Sequence, residues 1–527
     1  MSGADSANRR SVLKTGLIGS GLLAAPAFGG LLAAPAFGQS RTPRVGGYEG
    51  IRQAGVNAFL GIRYATAQRF ARPVRLPFAS APTPAKAFGP ICPQRGSPDE
   101  PVSEDCLFLN VWTPDLSPAA KKPVMVYFHG GAYNGGTVTD PVTHGQHLAG
   151  QGDVVVVSVN QRLNVFGYPW LAPFDARYAD SGNLGQLDLI AALEWVRDHA
   201  AKFGGDPSRV MVFGQSGGGA KIATLMAMPA ANGLFHSAAT MSGQQVTASG
   251  PTNALKRITA FFEQVGVPVG DVDGLKVLST EQMVAGLDAT DPVLGGSLYF
   301  GPVLDMVNLP RHPFWPDAAP QSLAIPMILG NTTDETRAFI SPDGPFLQGI
   351  DWSNIAERIR PNIKIDLRPD YVVQQYREHF PDWSPEQVFY AATTDGRSWP
   401  GQWIEADERA KAGADKTWVY QLDRESPVDP QRGAAHTDDL PYVFGTLDAP
   451  GSYSGTGKRA RDISAAMIRA FTGLARTGTP GLTDWAPYTL PDRATLMVAQ
   501  DRIAIENDPR GWQREMWSTA PYIQPGI

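Results

Sequence analysis

Ser216 lies in VFGQSGGGA, residues 212–220, where Gly214, Ser216 and Gly218 spell G-x-S-x-G. A serine hydroxyl is a weak nucleophile until a base takes its proton, so chemistry there needs a special setting. In a chain with 56 glycines the bare pattern also arises by chance, and the flanking sequence has to decide. Before it, RVMVF (209–213) is a short apolar run suited to a buried strand. After it, AKIATLMAMP (220–229) reads as a helix stopped near Pro229. Strand, tight turn and helix are what a serine nucleophile on a strained backbone requires. Gly214, Gly217, Gly218 and Gly219 leave room for that backbone. The helix would set its N–H groups and positive dipole end beside the serine, where an oxyanion would form.

The elements that must position this serine follow from the rest of the chain. PVMVYFHGG (123–131) is a buried strand ending in a glycine turn. DVVVVSVNQR (153–162) is an uninterrupted β-branched run of the kind buried on both faces of a parallel sheet. LGQLDLIAALEWVRDHAAKFGG (184–205) places Leu187, Ile190, Leu193, Trp195 and Val196 at helical spacing before a glycine stop. AIPMILGNT (324–332) and TWVYQLD (417–423) are later strands, and residues 44–80 read as edge strands and loops. The alternation predicts an α/β fold with a mostly parallel sheet. Residues 340–415, rich in aromatics and prolines with weak periodicity, read as a helical insertion or cap.

Length alone does not fix the number of domains in 527 residues, but 43% hydrophobic residues suit a large core. A net charge of −6 offers no polybasic surface to nucleic acid. NRRSVLK (8–14) sets paired arginines ahead of a long uncharged stretch, resembling a twin-arginine export signal. GLLAAPAFG occurs twice there, at 21–29 and 30–38, and Ala36-Phe37-Gly38 offers a cleavage site before Gln39. The expectation is a removed leader over 1–38, an encounter with the twin-arginine machinery, and a periplasmic or secreted domain over 39–527. Pro26, Pro35 and the glycines argue against the alternative, a membrane anchor. Removing 1–38 takes away three basic residues and one acid, leaving −8. Two cysteines, Cys92 and Cys106, suit one disulfide in an exported protein. Closing such a loop would restrict the unfolded chain by roughly 3 kcal/mol. No histidine cluster accompanies either cysteine, and no metal site is expected.

Taken together, seven segments resemble the type B carboxylesterase family, the cholinesterase-like branch of the α/β-hydrolases. They are SEDCLFLNVWTP (103–114), FHGGAY (128–133), NQRLNVFGY (160–168), GNLGQLD (182–188), FGGDPSRVMVFGQSGGG (203–219), GNTTDE (330–335) and AAHTDDLPYVFG (434–445), in the family's order. The resemblance runs from about residue 44 to about 500. It implies an α/β-hydrolase fold: a large sheet flanked by helices, with helical insertions over an active-site gorge. It implies Ser216 as nucleophile, Glu335 as the acid with Asp334 as its rival, and His436 as the base. The oxyanion hole would be the N–H groups of Gly131, Ala132 and Gly217. Arg69 and Glu104 would form a structural ion pair, and Ser242 would either bond the acid or simply pack.

Several positions depart from the family's pattern. Arg63 stands where relatives usually carry Pro, either near the pocket rim or as a solvated surface group. Gln215 stands where many have Glu, which weakens any case for cationic esters. The segment between the cysteines, PQRGSPDEPVSED, holds no aromatic to stack on a choline. Gly217 replaces the common Ala, and Thr336 replaces Gly after the acid. His144 and His147 have a helical spacing but no third ligand, and the histidines other than His436 read as ordinary residues. The expected activity is serine ester hydrolysis through an acyl-enzyme, on small to medium uncharged, aromatic or aliphatic esters, without cofactor or metal. An amide or carbamate hydrolase using the same triad, or a non-catalytic binding protein, are the alternatives. The 133–143, 290–315 and 340–415 regions would line the pocket, with Leu298-Tyr299-Phe300, His312, Phe314, Trp315 and Trp399 as aromatic candidates. The substrate and the oligomeric state are not legible.

Overall fold

The computed structural model describes residues 42–96 and 100–522. The leader expected over 1–38 lies outside the described residues. The β-branched and apolar runs form an eleven-stranded sheet. In chain order its strands are β1 (Ile51–Gln53), β2 (Val56–Arg63), β3 (Phe108–Thr113), β4 (Lys122–Phe128), β5 (Val155–Val159), β6 (Gly205–Gln215), β7 (Ser237–Met241), β8 (Met327–Thr332), β9 (Thr417–Asp423), β10 (Ala494–Ala499) and β11 (Ile503–Asn507). In space they run β11-β10-β9-β8-β7-β6-β4-β5-β3-β2-β1. Six of the ten pairings, spanning β5 to β10, are parallel; the two edges are antiparallel. This is the α/β-hydrolase arrangement, a large mixed sheet with helices on both faces.

Alternation along β4 shows why both faces are covered. Val124, Val126 and Phe128 enter one apolar core, and Met125 and Tyr127 enter the other. Helix α1 (Leu184–His199) fills the first, with Leu187, Ile190 and Leu193 buried. Helix α2 (Gly217–Leu225) starts directly after β6, three residues earlier than the apolar run suggests. The expected strands at 324–332 and 417–423 appear as β8 and β9.

The stretch 340–415 holds α3 (Ile355–Ile359), α4 (Pro369–His379), α5 (Pro385–Arg397) and α6 (Pro400–Lys411). Ser384 and Gln387 close a capping box at the start of α5. This stretch has an apolar core of its own, in which Ile355, Val372, Tyr376, Val388 and Phe389 meet Trp517.

One expectation needs correction. Cys92 and Cys106 are both free thiols, not a disulfide. They sit side by side in the interior, close but not bridged. Cys92 Sγ also accepts the Leu163 N–H at 3.2 Å, and burial beside that partner pushes the Cys106 thiol well up. Of the two alternatives for Arg63, the surface one holds. It pairs with Asp105 at the surface and covers the Phe108 ring.

Candidate active site

Register brings the site together. Phe128 of β4 lies opposite Gly214 of β6, and Gln215 lies opposite Met241 of β7. The turns after β4, β6, β7 and β8 therefore leave the same edge of the sheet, the C-terminal side where open parallel sheets hold their ligands. They carry Gly131 and Ala132, Ser216, Ser242, and Glu335 in turn.

Ser216 takes φ +55° and ψ −125°, a conformation costly for a residue with a Cβ. Two constraints hold it there. Its N–H donates to Met241 O at 2.7 Å, and its carbonyl accepts from Ala220 at 3.1 Å. A Cβ on Gly217 would run into the Ala132 carbonyl, and one on Gly218 into the Phe128 carbonyl. Only glycine lets the oxyanion turn and β4 come this close to the start of α2.

The turn after β4 uses positive φ at Gly131 (+83°) and Ala132 (+52°). Its carbonyls are occupied: Gly131 O accepts from Asn134 and Gly135, and Tyr133 O from Asn164. Its N–H groups at Gly131 and Ala132, and the first helical N–H at Gly217, find no acceptor among the described residues. Three free donors beside a strained serine are placed as an oxyanion hole would need them.

Glu335 is fully buried and heavily coordinated. Its Oε1 accepts from Ser242 Oγ at 2.6 Å, Thr332 N at 2.8 Å and Asn331 Nδ2 at 3.3 Å, while Oε2 meets His436 Nδ1. Burial alone would raise this carboxyl. The neighbouring imidazole and the hydrogen bonds outweigh it and hold the acid below its ordinary range. Asp334 turns away, accepting from Arg337 Nε and Ala434 N. Glu335, not Asp334, thus faces the base. The carboxylate accepts from Nδ1, which leaves the His436 Nε2 lone pair for a proton.

That lone pair is occupied by a group other than the serine. Gln215 Nε2 lies 3.0 Å from His436 Nε2, and among the described residues no hydrogen bond joins Ser216 Oγ to the imidazole. Ser216 and His436 nevertheless line one pocket of about 150 Å³, together with Ala132, Gly217 and Ser242. Gln215, singled out in the sequence only for the charge it removes, meets the His436 imidazole directly.

Lys221 is the residue that sequence reasoning missed most plainly. It is fully buried, and its Nζ donates to His129 O at 3.0 Å and Ala132 O at 2.8 Å, strapping the oxyanion turn to α2. Burial pushes its ammonium down to about 7. A lone lysine in the apolar run AKIATL was the available signal. His129, the residue that opens the turn, bonds Gly130 O and the Gln161 amide, and burial, helped by Lys221, pushes it down to about 3.

The far side of the pocket wall includes Tyr299, Phe339, Arg397, Ser398 and Tyr522. Of the aromatic candidates, Tyr299 reaches it. Phe314 is core, Trp315 is exposed, and Trp399 stacks on Arg510 elsewhere. His144 packs on Trp112, with ring centroids 5.1 Å apart. Arg69 and Glu104 lie paired at 2.9 Å, with Thr280 and the Leu275 and Leu278 carbonyls completing the cluster.

Comparison with known proteins identifies the family. The family model described as "Carboxylesterase family" matches residues 40–517. The chain belongs to that family. Para-nitrobenzyl esterase of Bacillus subtilis is 33% identical over 500 residues, covering 90% of this chain and 97% of its own. Phenmedipham hydrolase of Pseudarthrobacter oxydans is 31% identical over 466 residues, covering 80% of this chain and 87% of its own. The crystal structure of a Geobacillus stearothermophilus carboxylesterase superposes with a TM-score of 0.78 at 32% identity, covering 90% of this chain and 99% of that one. This carboxylesterase is an ester hydrolase.

Proposed function

We propose that the enzyme cleaves small to medium carboxylic esters through an acyl-enzyme on Ser216. In this reading the entering ester displaces the Gln215 amide from His436 Nε2. Ser216 Oγ then attacks the ester carbonyl as its proton passes to that nitrogen. The oxyanion is met by the N–H groups of Gly131, Ala132 and Gly217. Collapse breaks the C–O bond, and His436 returns the proton to the departing alcohol. Water repeats the sequence on the acyl-enzyme, with His436 again as base, and frees the acid. Glu335 orients the imidazole and favours its charged state, with Ser242 holding Glu335 in turn.

The observation that supports this reading is the strained Ser216, beside three N–H groups without an acceptor among the described residues and in one pocket with an imidazole already aligned on a buried carboxylate. A pocket of about 150 Å³ walled by Tyr299, Phe339 and Tyr522 supports a short or aromatic group rather than a long chain. The helices of 340–415 fit a cap in this scheme, and the paired arginines at 9 and 10 support export.

The test is turnover of p-nitrophenyl esters from acetate upward by the protein and by Ser216→Ala. The parent is expected to prefer the short end, and the variant to lose about 10³-fold or more in kcat. A folded parent that turns over no ester, or an alanine variant as active as the parent, overturns the reading.

A further inference from the structure

Arg397, the last residue of α5, lines the same pocket as Ser216 and His436. Among the described residues its guanidinium makes no ion pair and no hydrogen bond. Its contact is the Phe339 ring, 5.1 Å from the guanidinium carbon, and that ring lies 4.8 Å from the His436 imidazole. Other interior arginines are not left this way. Arg162 pairs with Asp188, Arg257 with Asp291 and Arg510 with Asp395, and Arg409 donates to the Ser322 and Ile325 carbonyls.

The surroundings do not supply the missing anion. The nearest functional carboxylate, Glu335, is spent on His436, Ser242 and Thr332. Glu405, behind Gln245, is buried so thoroughly that its neutral form is favoured. Lys364 adds a second cation facing Arg397. Desolvation outweighs the distant pull of Tyr522 and Glu335, neither of which bonds the guanidinium, and holds it below its ordinary value. A half-buried cation of this kind is unfavourable until an anion arrives. Guanidinium, planar and forked, suits a carboxylate in particular. The helix end is held for the purpose: the Tyr522 hydroxyl, also in the pocket wall, donates to the Arg397 carbonyl at 2.9 Å.

We propose that Arg397 determines specificity here, and that the ester this enzyme takes carries a carboxylate, bound by the Arg397 guanidinium while the ester carbonyl meets Ser216. This rests on the acyl-enzyme reading above, and it replaces the expectation of an uncharged ester. The carboxylate can sit on the acid or on the alcohol half of the substrate.

Two matched pairs of esters separate these cases. For the acid half, p-nitrophenyl hydrogen adipate is compared with its methyl-capped diester. For the alcohol half, p-acetoxybenzoate is compared with methyl p-acetoxybenzoate. In at least one pair the charged member is expected to have the higher kcat/KM. Arg397→Gln is expected to collapse that ratio by about 30-fold, and Arg397→Lys to keep part of it. A packing role for Arg397 would lower both members together and leave the ratio unmoved. Where the glutamine variant does not fold, the wild-type ratios decide, with a preference that shrinks between low and high salt as its signature. No charged preference in either pair, or a ratio that survives Arg397→Gln, overturns the proposal. Fluorophosphonate labelling of Ser216 and turnover of p-nitrophenyl acetate report on the acyl-enzyme reading separately. If both succeed while the ratios stay near one, only the assignment to Arg397 falls.

Discussion

The pocket has two halves of different make. One half hangs from strand ends: Ser216, Ser242 and Glu335 follow β6, β7 and β8, and the oxyanion turn follows β4. Its two serines are tied by backbone, Ser216 N on Met241 O and Ser242 N on Gly330 O, and its carboxylate accepts from Thr332 N. The other half, Phe339, Arg397 and Tyr522, comes from a short turn, a helix end and the C-terminal stretch. It is looser. Glu335 is fully buried, whereas Phe339 is 49% exposed. Atomic precision is concentrated where a sheet ladder fixes position, and the proposed choice of substrate where it does not. Damage to the first half should appear in kcat, and changes to the second in KM and in the ranking of substrates.

The sharpest way to break this division is at Lys221, which supports the strand-borne half without touching substrate. Lys221→Met removes both donors to the oxyanion turn and leaves His129 O and Ala132 O unpaired. We expect kcat to fall by about 10²-fold, the order seen when an oxyanion donor is lost, with KM changed much less. A rise in KM alone would put Lys221 in the wrong half. Stability provides a second readout. The ordinary lysine value of 10.5 applies to the unfolded chain, and the folded value is about 7. The unfolded state therefore binds the extra proton between those values, and stability falls as pH drops from 10.5 toward 7. Wild type should gain up to about 1.4 kcal/mol per pH unit across that window, and Lys221→Met should lack this slope. Denaturant unfolding at several pH values measures it.

Legibility in the sequence follows the same division. β-branched runs such as VVVSV and MILGNT declare themselves, and the turns after them carry the chemistry in fixed spacing. β7 does not declare itself. SAATM is poor in strand formers, and it pairs because Ala238 and Ala239 fit a crowded interior position between β6 and β8. The helix Lys458–Thr477 buries Ile463, Met467, Phe471 and Leu474 at helical spacing, a pattern open to reading but attached to no motif. The helix-borne wall was the least legible. Phe339, Arg397 and Tyr522 are far apart in sequence and meet only through tertiary packing, so Trp399 and Trp315 looked equally good. The cysteine pair misled because an even count implies pairing, and counting does not register two thiols in contact without a bond.

A milder change tests how the base is poised. The Gln215 amide donates to the lone pair of His436 Nε2, which only a neutral imidazole offers. Gln215→Glu puts a carboxylate there, so that His436 stands between two anions and its charged form is favoured. A protonated base cannot accept the Ser216 proton. The acid limb of kcat/KM should therefore move up by about one pH unit, with most activity recovered on the alkaline side. An unmoved limb would mean that Gln215 fills space and does not tune the base.

The smallest expected effect belongs to the looser half. Phe339 is sandwiched between the His436 ring and the Arg397 guanidinium and is half open to solvent. Phe339→Ala removes an aromatic face worth about 0.5–1.5 kcal/mol to a stacked ring. KM for aryl esters should rise by about 3–10-fold, and KM for alkyl esters by less. His436 is held at Nδ1 by Glu335 irrespective of the ring above it, so kcat on alkyl esters should change little. If kcat collapses on both classes instead, Phe339 is fixing the imidazole, and the boundary between the two halves runs through this ring rather than beside it.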